Sequence, residues 1–389
     1  MSQKSSEMKA QGIDVINMSV GEPDFNTPDQ IKQAAKQAID DNYSRYSPVP
    51  GYPELRKAIA NKLKNENQLD YTVNEILVSN GAKQSVCNTI MALVNDGEEV
   101  IIPAPYWVSY PQMVKLAGGE PVIVEAGFEQ NFKMTAEQLE AAITPKTRML
   151  ILCSPSNPTG SVYSKEELRS LVEVILRHDD LFVLADEIYE HINYVGHHES
   201  IAQFPGMKER TIVVNGVSKA YAMTGWRIGY IAAPEWIVKG CNKLQGQYTS
   251  GPCSVSQKAA EWAYTQSQEC VEEMRQAFER RRDLIVSLAR EIPGLEVNVP
   301  EGAFYLFPKC SAFYGRSVCC CNTATNATIA TTINNSTDLA MYLLQEAHVA
   351  TVGGDAFGDP DCFRMSYATS DENIREAMRR IAAALAKLK

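Results

Sequence analysis

TIVVNGVSKAYAMTGWRIGY, residues 211–230, is the stretch of sequence that constrains the fold most strongly. Its apolar, β-branched start predicts a strand that ends in Asn-Gly. Lys219 follows in the turn, and Arg227 comes later in the motif Gly-Trp-Arg-Ile-Gly. A lysine that is desolvated at the end of a buried strand can lose its proton and form a Schiff base, and an arginine nearby can bind a phosphate. Taken singly, each cation is also typical of a solvated surface charge.

Apolar runs that alternate with helical patterns extend from this segment toward the N-terminus. Strands are predicted at 75–80, 99–103, 148–153, 181–186 and 211–215. A helix is predicted over 164–178, where Ser164 and Glu167 form a capping box. Buried strands that alternate with helices form mostly parallel sheets covered on both faces. The sequence therefore predicts an α/β protein whose ligand binds outside the carboxyl ends of the strands.

The pattern changes near residue 291. GAFYLFP (302–308) and CFRMSYAT (362–369) predict two more strands, and helices are predicted near 337–347 and from 371 to the end. We therefore predict a large domain at 29–290 and a smaller α+β domain formed by 1–28 and 291–389. Residues 315–336 are rich in Thr, Asn, Ala and Cys without a clear period, which predicts an irregular surface insertion.

The composition narrows the classes of function. The 389 residues are 45% hydrophobic, which is enough to bury a core without disulfides or metals. The formal net charge of −10 argues against nucleic-acid binding, and no run of eighteen apolar residues predicts a membrane span. The polar start MSQKSSEMKAQG predicts a cytoplasmic protein with reduced thiols. Adjacent Cys319, Cys320 and Cys321 have the wrong spacing for tetrahedral zinc, and no metal is predicted.

Polar groups follow several other predicted strands. In SNGAKQ (79–84), Gly81 and Ala82 form a small-residue turn before a helix, whose free N–H groups suit a phosphate. Turns of this kind also occur without any ligand. Asp186 ends the apolar run LFVLAD and needs a cation or a donor, which a helix cap or a structural ion pair would supply equally well.

Three further side chains complete the candidate site. Asn157 in SPSNPTG (154–160) offers an amide, and Trp107 in PYWVSY (105–110) offers a flat ring for stacking or for core packing. Arg364 in an apolar run needs an anion, either a substrate carboxylate or a structural acid. With the lysine, the aspartate and a tyrosine, this set matches the requirements of pyridoxal 5′-phosphate (PLP).

Read in order, these motifs resemble the class-I aminotransferases of PLP fold type I, and most closely the bacterial aspartate aminotransferases with prephenate-active members. The resemblance covers nearly the whole chain except 315–336. The stretches that carry it are SVGEPDFNTP (19–28), YSPVPGYPELR (46–56), SNGAKQ, PYWVSYP, SPSNPTG, ADEIYEH (185–191), SKAYAMTGWRIGY (218–230), GAFY (302–305) and CFRMSYATS (362–370).

The resemblance implies a role for each matching position around the cofactor. Lys219 is implied to be the Schiff-base lysine and the acid/base. Asp186 is implied to keep the pyridine nitrogen protonated, and Tyr189 and Asn157 to bind the ring oxygen. Trp107 is implied to stack on the ring. The implied phosphate site contains Gly81, Ala82, Ser218 and Arg227, with Lys83 in the same turn and Tyr46 from a second subunit of a homodimer.

The resemblance also implies how the substrate is held. Arg364 is implied to bind its α-carboxylate, under the backbone of Gly21 and beside Trp107 and Asn157. Lys83 is implied to bind the distal carboxylate of a dicarboxylic substrate. The implied reaction transfers the amino group of aspartate to 2-oxoglutarate in two half-reactions, giving oxaloacetate and then glutamate.

Other functions are compatible with parts of this pattern. An aminotransferase for aromatic amino acids, prephenate or other amino acids, or a PLP-dependent β-lyase, uses the same fold. Family members carry an N-terminal arm ahead of MSQKSSEMKAQG, and because the sequence begins after it, prephenate use and full closure over the substrate stay open. Three other classes of protein fit the motifs less well: a non-catalytic PLP-binding regulator, a nicotinamide dehydrogenase and a metalloenzyme. The metal ligands of the metalloenzyme would be Asp186, Glu190 and His191, or His197, His198 and Glu199.

Overall fold

Strands and helices alternate along most of the chain. The computed structural model describes residues 2–322 and 327–389. Its strands are β1 (Ile16–Asn17), β2 (Ile76–Ser79), β3 (Glu99–Ala104), β4 (Glu120–Glu125), β5 (Thr147–Cys153), β6 (Phe182–Asp186), β7 (Thr211–Gly216), β8 (Gly229–Ala232), β9 (Tyr305–Leu306), β10 (Ser317–Asn322), β11 (Ala327–Thr332), β12 (Val349–Ala350), β13 (Val352–Gly353) and β14 (Phe363–Ser366). Its helices are α1 (Ser2–Ala10), α2 (Asp29–Asp40), α3 (Pro53–Asn67), α4 (Ala82–Leu93), α5 (Tyr110–Leu116), α6 (Ala136–Ala142), α7 (Lys165–Ile175), α8 (Glu235–Tyr248), α9 (Ser254–Thr265), α10 (Glu269–Arg290), α11 (Ser336–Tyr342) and α12 (Asp371–Leu385).

Seven strands form the central sheet, in the order β2-β8-β7-β6-β5-β3-β4. Only β8 runs antiparallel to its neighbours in this sheet, so the predicted mostly parallel α/β architecture is confirmed. The sequence pattern had missed two of the strands. β4 lies at the edge of the sheet and is only partly buried, and β8 is a four-residue strand inside the 211–230 segment.

Helices cover both faces of this sheet. Alternate residues of β7 point to opposite faces: Val213 packs in one apolar cluster with α3 and α9, whereas Val214 packs in another with α4 and α8. The sheet is therefore buried on both sides, and polar side chains emerge where its strands end. The carboxyl ends of β5 and β6 meet at one edge, where Cys153 lies opposite Asp186.

A second layer packs against this edge. β13, β14 and β9 form a small antiparallel sheet, and β1 pairs in parallel with β12. One large apolar cluster joins Met18 near the N-terminus, Phe278 of α10, Tyr305 of β9 and Ile381 of α12. The N-terminal residues and the C-terminal third of the chain thus share a core, and α10 packs into that core although it precedes residue 291 in the sequence.

Residues 315–336 do not form the irregular insertion that was predicted. β10 and β11 pair in antiparallel register from Ser317 opposite Thr332 to Asn322 opposite Ala327. The sequence ATIATT of β11 is rich in β-branched residues, which favour strands, and the bias toward Thr and Asn had obscured this preference. Residues 323–326 lie outside the described part of the chain.

Two findings bear on the composition. Among the described helices, none is long and apolar enough to cross a membrane. The cysteine side chains that the structure describes are free thiols, at positions 87, 153, 241, 253, 270, 310 and 362. Cys319, Cys320 and Cys321 lie on β10, and their side chains are outside the described part of the structure.

Candidate active site

A cavity of about 490 Å³ opens at the carboxyl edge of the central sheet, under the second layer. Every candidate residue from the sequence lines this cavity except Gly81 and Tyr46. The residues that line it are Gly21, Glu22, Ala82, Lys83, Trp107, Val108, Tyr110, Cys153, Asn157, Asp186, Ile188, Tyr189, Ser218, Lys219, Thr224, Arg227, Tyr305, Val352, Phe357 and Arg364. Strand ends from the sheet and loops from the second layer thus converge on one space.

Lys219 reaches into the cavity from the turn after β7. Its Nζ donates a hydrogen bond to the carbonyl oxygen of Gly21 at 2.7 Å. Burial lowers the pKa of this amine to about 8, with Arg227 and Arg364 acting in the same direction against Glu22 and Asp186. A neutral amine is therefore accessible near neutral pH, as a nucleophile or a general base requires.

Asp186 is buried at the end of β6, with 5% of its surface exposed. Its Oδ2 accepts a hydrogen bond from the Tyr110 hydroxyl at 2.7 Å, and its Oδ1 accepts one from the backbone N–H of Ile188 at 3.3 Å. Burial raises the pKa of this carboxyl group above its usual range. A carboxylate so placed would be stabilised further by a cationic ring nitrogen in the cavity.

Two tyrosines lie beside the lysine. The hydroxyl groups of Tyr189 and Tyr305 are 2.7 Å apart, and both rings are buried. Lys219 Nζ lies 5.7 Å from the centre of the Tyr189 ring. Burial raises the pKa of Tyr189 well above its usual value, so this phenol stays protonated and can donate a hydrogen bond.

Arg364 extends from β14 of the second layer. Its guanidinium donates to Asn157 Oδ1 and to the Ser19 carbonyl oxygen, both at 2.8 Å. It also lies over the rings of Tyr305 and Phe357, at 4.5 and 4.8 Å from their centres. None of these contacts is with an acidic side chain, which was the alternative partner that the sequence left open for Arg364. Its Nε is buried without a hydrogen-bond partner among the described residues. The guanidinium can therefore bind an anion in the cavity.

The opposite end of the cavity is a turn formed by Gly81 and Ala82 at the start of α4. Gly81 has a φ of +82°, and a Cβ atom at this position would lie 2.2 Å from Arg227 Nη2. Arg227 donates to the carbonyl oxygens of Asn80 and Thr224 and is exposed. A guanidinium beside free N–H groups at a helix N-terminus forms a site for a phosphate.

Lys83 and Trp107 form the outer wall. Lys83 Nζ lies 4.8 Å from the centre of the Trp107 ring, and Trp107 packs edge-on against Tyr110 with the ring centres 5.2 Å apart. Lys83 is exposed and has no carboxylate partner among the described residues. The wall therefore combines a stacking surface with a free positive charge.

Tyr46 does not reach the cavity of its own chain. It is 97% exposed, and its assignment to the site of a second subunit stays a prediction. Sequence reasoning missed Tyr110, Tyr305 and Phe357. The motifs PYWVSY and GAFY contain the two tyrosines, but only the folded chain shows that their hydroxyl groups reach Asp186 and Tyr189.

A second polar cluster lies behind this edge of the sheet. It contains two overlapping groups of potential metal ligands, Glu187 with Glu190 and His198, and Glu66 with Glu190 and His191. Neither group is one that the sequence suggested. Lys62 forms an ion pair with Glu190 inside this cluster. Because a lysine ammonium already neutralises the shared carboxylate, the arrangement argues against a metal ion there.

Comparison with known proteins identifies the family. The aminotransferase class I and II family matches residues 13–381, and the chain belongs to this family. The bifunctional aspartate aminotransferase and glutamate/aspartate-prephenate aminotransferase of Petunia hybrida is 49% identical over 382 residues, covering 97% of this chain and 78% of the relative. The resemblance stated from the motifs is therefore confirmed, and the chain is an aminotransferase.

Solved structures agree with this assignment. The aspartate aminotransferase from Rhizobium meliloti superposes with a TM-score of 0.94 at 46% identity, covering 100% of this chain and 95% of the other. The aspartate aminotransferase of Thermus thermophilus with maleate gives a TM-score of 0.90 at 40% identity, covering 98% of this chain and 95% of the other. The fold predicted from the sequence is that of these enzymes.

The cavity residues fit the cofactor that such enzymes require. Pyridoxal 5′-phosphate carries a phosphate, a basic ring nitrogen and an aldehyde. The cavity offers Arg227 beside the Gly81 turn, the buried carboxyl group of Asp186 and the readily deprotonated amine of Lys219. Arg364 also lines the cavity and has no carboxylate partner among the described residues, which leaves capacity for a further anion, such as a substrate carboxylate.

The lowered pKa of Lys219 predicts its reactivity in the cofactor-free protein. Acetylation with acetic anhydride, mapped by mass spectrometry, should label Lys219 with a half-maximal rate near pH 8, because burial lowers the pKa of its amine to about 8. At pH 7 roughly one molecule in ten would carry the neutral amine. In urea the midpoint should return to about 10.4. A midpoint above pH 10 in the folded protein would contradict the geometry described for this lysine.

Proposed function

We propose that this chain binds pyridoxal 5′-phosphate and transfers the amino group of aspartate to 2-oxoglutarate, giving oxaloacetate and glutamate. One observation carries the proposal: Lys219, whose pKa is lowered to about 8 by burial, lines the same cavity as Asp186, Arg227 and Arg364. That combination provides a reactive amine, a partner for a ring nitrogen and two sites for anions.

The cofactor would be held by contacts along the whole cavity. Arg227, the Gly81–Ala82 turn and Ser218 bind the phosphate, Trp107 stacks on the ring, and Asp186 accepts a hydrogen bond from the ring nitrogen. The hydroxyl group of Tyr110 fixes the Asp186 carboxylate from the far side at 2.7 Å. Tyr189 and Asn157 donate to the ring oxygen. When bound, the cofactor supplies an aldehyde carbon that carries the amino group and a ring that accepts electrons from the substrate.

Lys219 moves the proton. Its amine donates to the Gly21 carbonyl oxygen, and it could take a proton from the substrate α-carbon and release it again within the cavity. A base with a pKa near the working pH both accepts and releases a proton readily. Burial of the amine, which lowers that pKa, is thus part of the chemistry.

The substrate would be fixed by its carboxylates. Arg364 binds the α-carboxylate with its guanidinium, which is kept in place by Asn157 and by the Ser19 carbonyl oxygen. Lys83 binds the distal carboxylate, since it is an exposed cation at the outer wall without a carboxylate partner among the described residues. The related aspartate aminotransferase of Thermus thermophilus has a solved structure with maleate, which is a dicarboxylate.

A second substrate class has support of its own. The relative from Petunia hybrida is named as a bifunctional enzyme that also acts in glutamate/aspartate-prephenate transamination. The cavity here is partly aromatic, with Trp107, Tyr305 and Phe357 among its walls. Transamination of prephenate or of aromatic amino acids is therefore the alternative to aspartate as the main reaction, and a PLP-dependent β-lyase is the more distant one.

The proposal includes a homodimer and two domains. Tyr46 is 97% exposed on its own chain, and in a dimer it would contribute to the phosphate site of the partner. Residues 29–290 would form the large domain, and 1–28 with 291–389 the small domain. The cytoplasm is the proposed location.

Amino-group transfer tests the proposal directly. With PLP present, the chain should move ¹⁵N from labelled aspartate to 2-oxoglutarate, detected as ¹⁵N-glutamate by mass spectrometry. Lys219→Ala should lower the rate by at least about 10⁴-fold, because it removes both the nucleophile and the base. Lys239→Ala, at an exposed lysine of α8, is the matched control and should leave the rate unchanged. Absence of labelled glutamate with the native chain would refute the proposal.

The role of Lys83 predicts a selective defect. Lys83→Met should raise the KM for aspartate about 10- to 100-fold, since a charged hydrogen bond contributes about 1.5–3 kcal/mol. The KM for phenylalanine, which has no distal carboxylate, should change by less than about twofold. Equal losses on both substrates, or a native preference for phenylalanine, would contradict the assignment of Lys83 to a dicarboxylic substrate.

A further inference from the structure

The segment from Asp186 to Glu190 has two sides. Asp186 and Tyr189 line the cavity, whereas Glu187 and Glu190 belong to the polar cluster behind it. All four residues are buried, with 3–6% of their surface exposed. Asp186 is the last residue of β6 and pairs with both neighbouring strands, whereas residues 187–190 form turns outside any helix or strand. The side-chain anchors of these turns therefore help to determine where Tyr189 points.

Glu190 is anchored by a closed set of three side chains. Lys62, from α3, donates to Glu190 Oε1 and, at 2.7 Å, to Asn67 Oδ1. Asn67 in turn donates to Glu190 Oε2 at 2.7 Å. The Lys62 side chain is 1% exposed. Burial opposes a charge on Glu190, but Lys62, His191 and His198 outweigh it and hold the pKa of Glu190 below its usual range.

Glu187 is held by side chains of the 198–200 loop. Its Oε1 accepts a hydrogen bond from the Ser200 hydroxyl at 2.6 Å, and its Oε2 lies 3.2 Å from His198 Nε2. Burial works against a charge on His198, but Glu187 and Glu190 outweigh it and raise the pKa of the imidazole. Both carboxylates of the segment thus have a buried nitrogen partner, Lys62 of α3 for Glu190 and His198 for Glu187.

Stability alone does not account for this arrangement. Buried ion pairs cost desolvation, and apolar residues of the same volume often stabilise a protein as well or better. What a buried pair does provide is a single geometry, because neither partner can shift without leaving a charge unpaired. Glu190 of this pair lies one residue beyond Tyr189, a cavity side chain that needs a fixed orientation.

We propose that Lys62 is a positioning residue of the active site: through Glu190 it fixes the turns at 187–190, and with them the orientation of Tyr189 toward the cofactor. The inference rests on the proposed function, because the effect is expressed at bound PLP. Lys62 itself touches neither cofactor nor substrate.

A double-mutant cycle on the full-length holoenzyme tests this inference. Lys62→Met and Glu190→Gln should each raise the dissociation constant of PLP about 10-fold, the effect typical of removing an outer partner of a ligand-binding group. Each should also weaken the visible circular dichroism band of bound PLP, which reports its orientation. The double variant should be no worse than either single one, since both act through one contact. Lys62→Arg keeps the cation and should restore the native spectrum.

A control variant and the possible outcomes separate the positioning role of Lys62 from the proposed function. Lys239→Met breaks an exposed ion pair with Glu235 and should leave both measurements unchanged. If the native chain binds no PLP, the proposed function fails. If it binds PLP and the Lys62→Met spectrum and dissociation constant are native, only the positioning role fails, even when the melting temperature is lower. If Lys62→Met does not fold, Glu190→Gln decides in the same way, because it keeps the volume of the side chain and a partner for Asn67.

Discussion

The active site depends on one constraint, the enclosure of the Lys219 amine at the point where strand ends and the second layer meet. A lysine in water is protonated and unreactive at neutral pH. Burial lowers the pKa of Lys219 to about 8, and two nearby guanidinium groups act in the same direction. The same positive charges that lower this pKa are the ones that would hold the anionic ends of cofactor and substrate. One electrostatic arrangement thus serves reactivity and binding together.

This enclosure requires both layers of the molecule. The sheet contributes Lys219, Asp186 and Asn157 from the ends of its strands, and the second layer contributes Arg364 and the carbonyl oxygen of Gly21. Hydrogen bonds join the layers across the cavity, from Lys219 to Gly21, from Arg364 to Asn157 and between the hydroxyl groups of Tyr189 and Tyr305. A displacement of the second layer would therefore open the cavity and change the environment of the lysine at once. The apolar cluster around Phe278 and Tyr305 holds the layer in place.

Part of this site could be predicted because its residues lie at the carboxyl ends of parallel strands. Polar residues that end or closely follow buried parallel strands gather at one edge, so the positions of Asp186 and Lys219 at this edge could be predicted from local sequence. Tyr305 could not, since its contact with Tyr189 spans a long stretch of chain and depends on how the layers dock. The edge strand β4 was missed because its half-buried pattern is weak, and β10 and β11 were missed because composition was given more weight than β-branching. The Lys62–Glu190 pair follows from no local pattern, because a lysine on a helix is ordinarily predicted to be solvated.

Lys219 is the proposed point of attachment for PLP, through which amino groups would pass from aspartate to 2-oxoglutarate. The absorption spectrum of the PLP-loaded protein tests this role, recorded before and after aspartate is added, and again after 2-oxoglutarate. We expect a visible band that moves to shorter wavelength with aspartate and returns with 2-oxoglutarate. Failure to form any visible band after PLP is added would contradict this role.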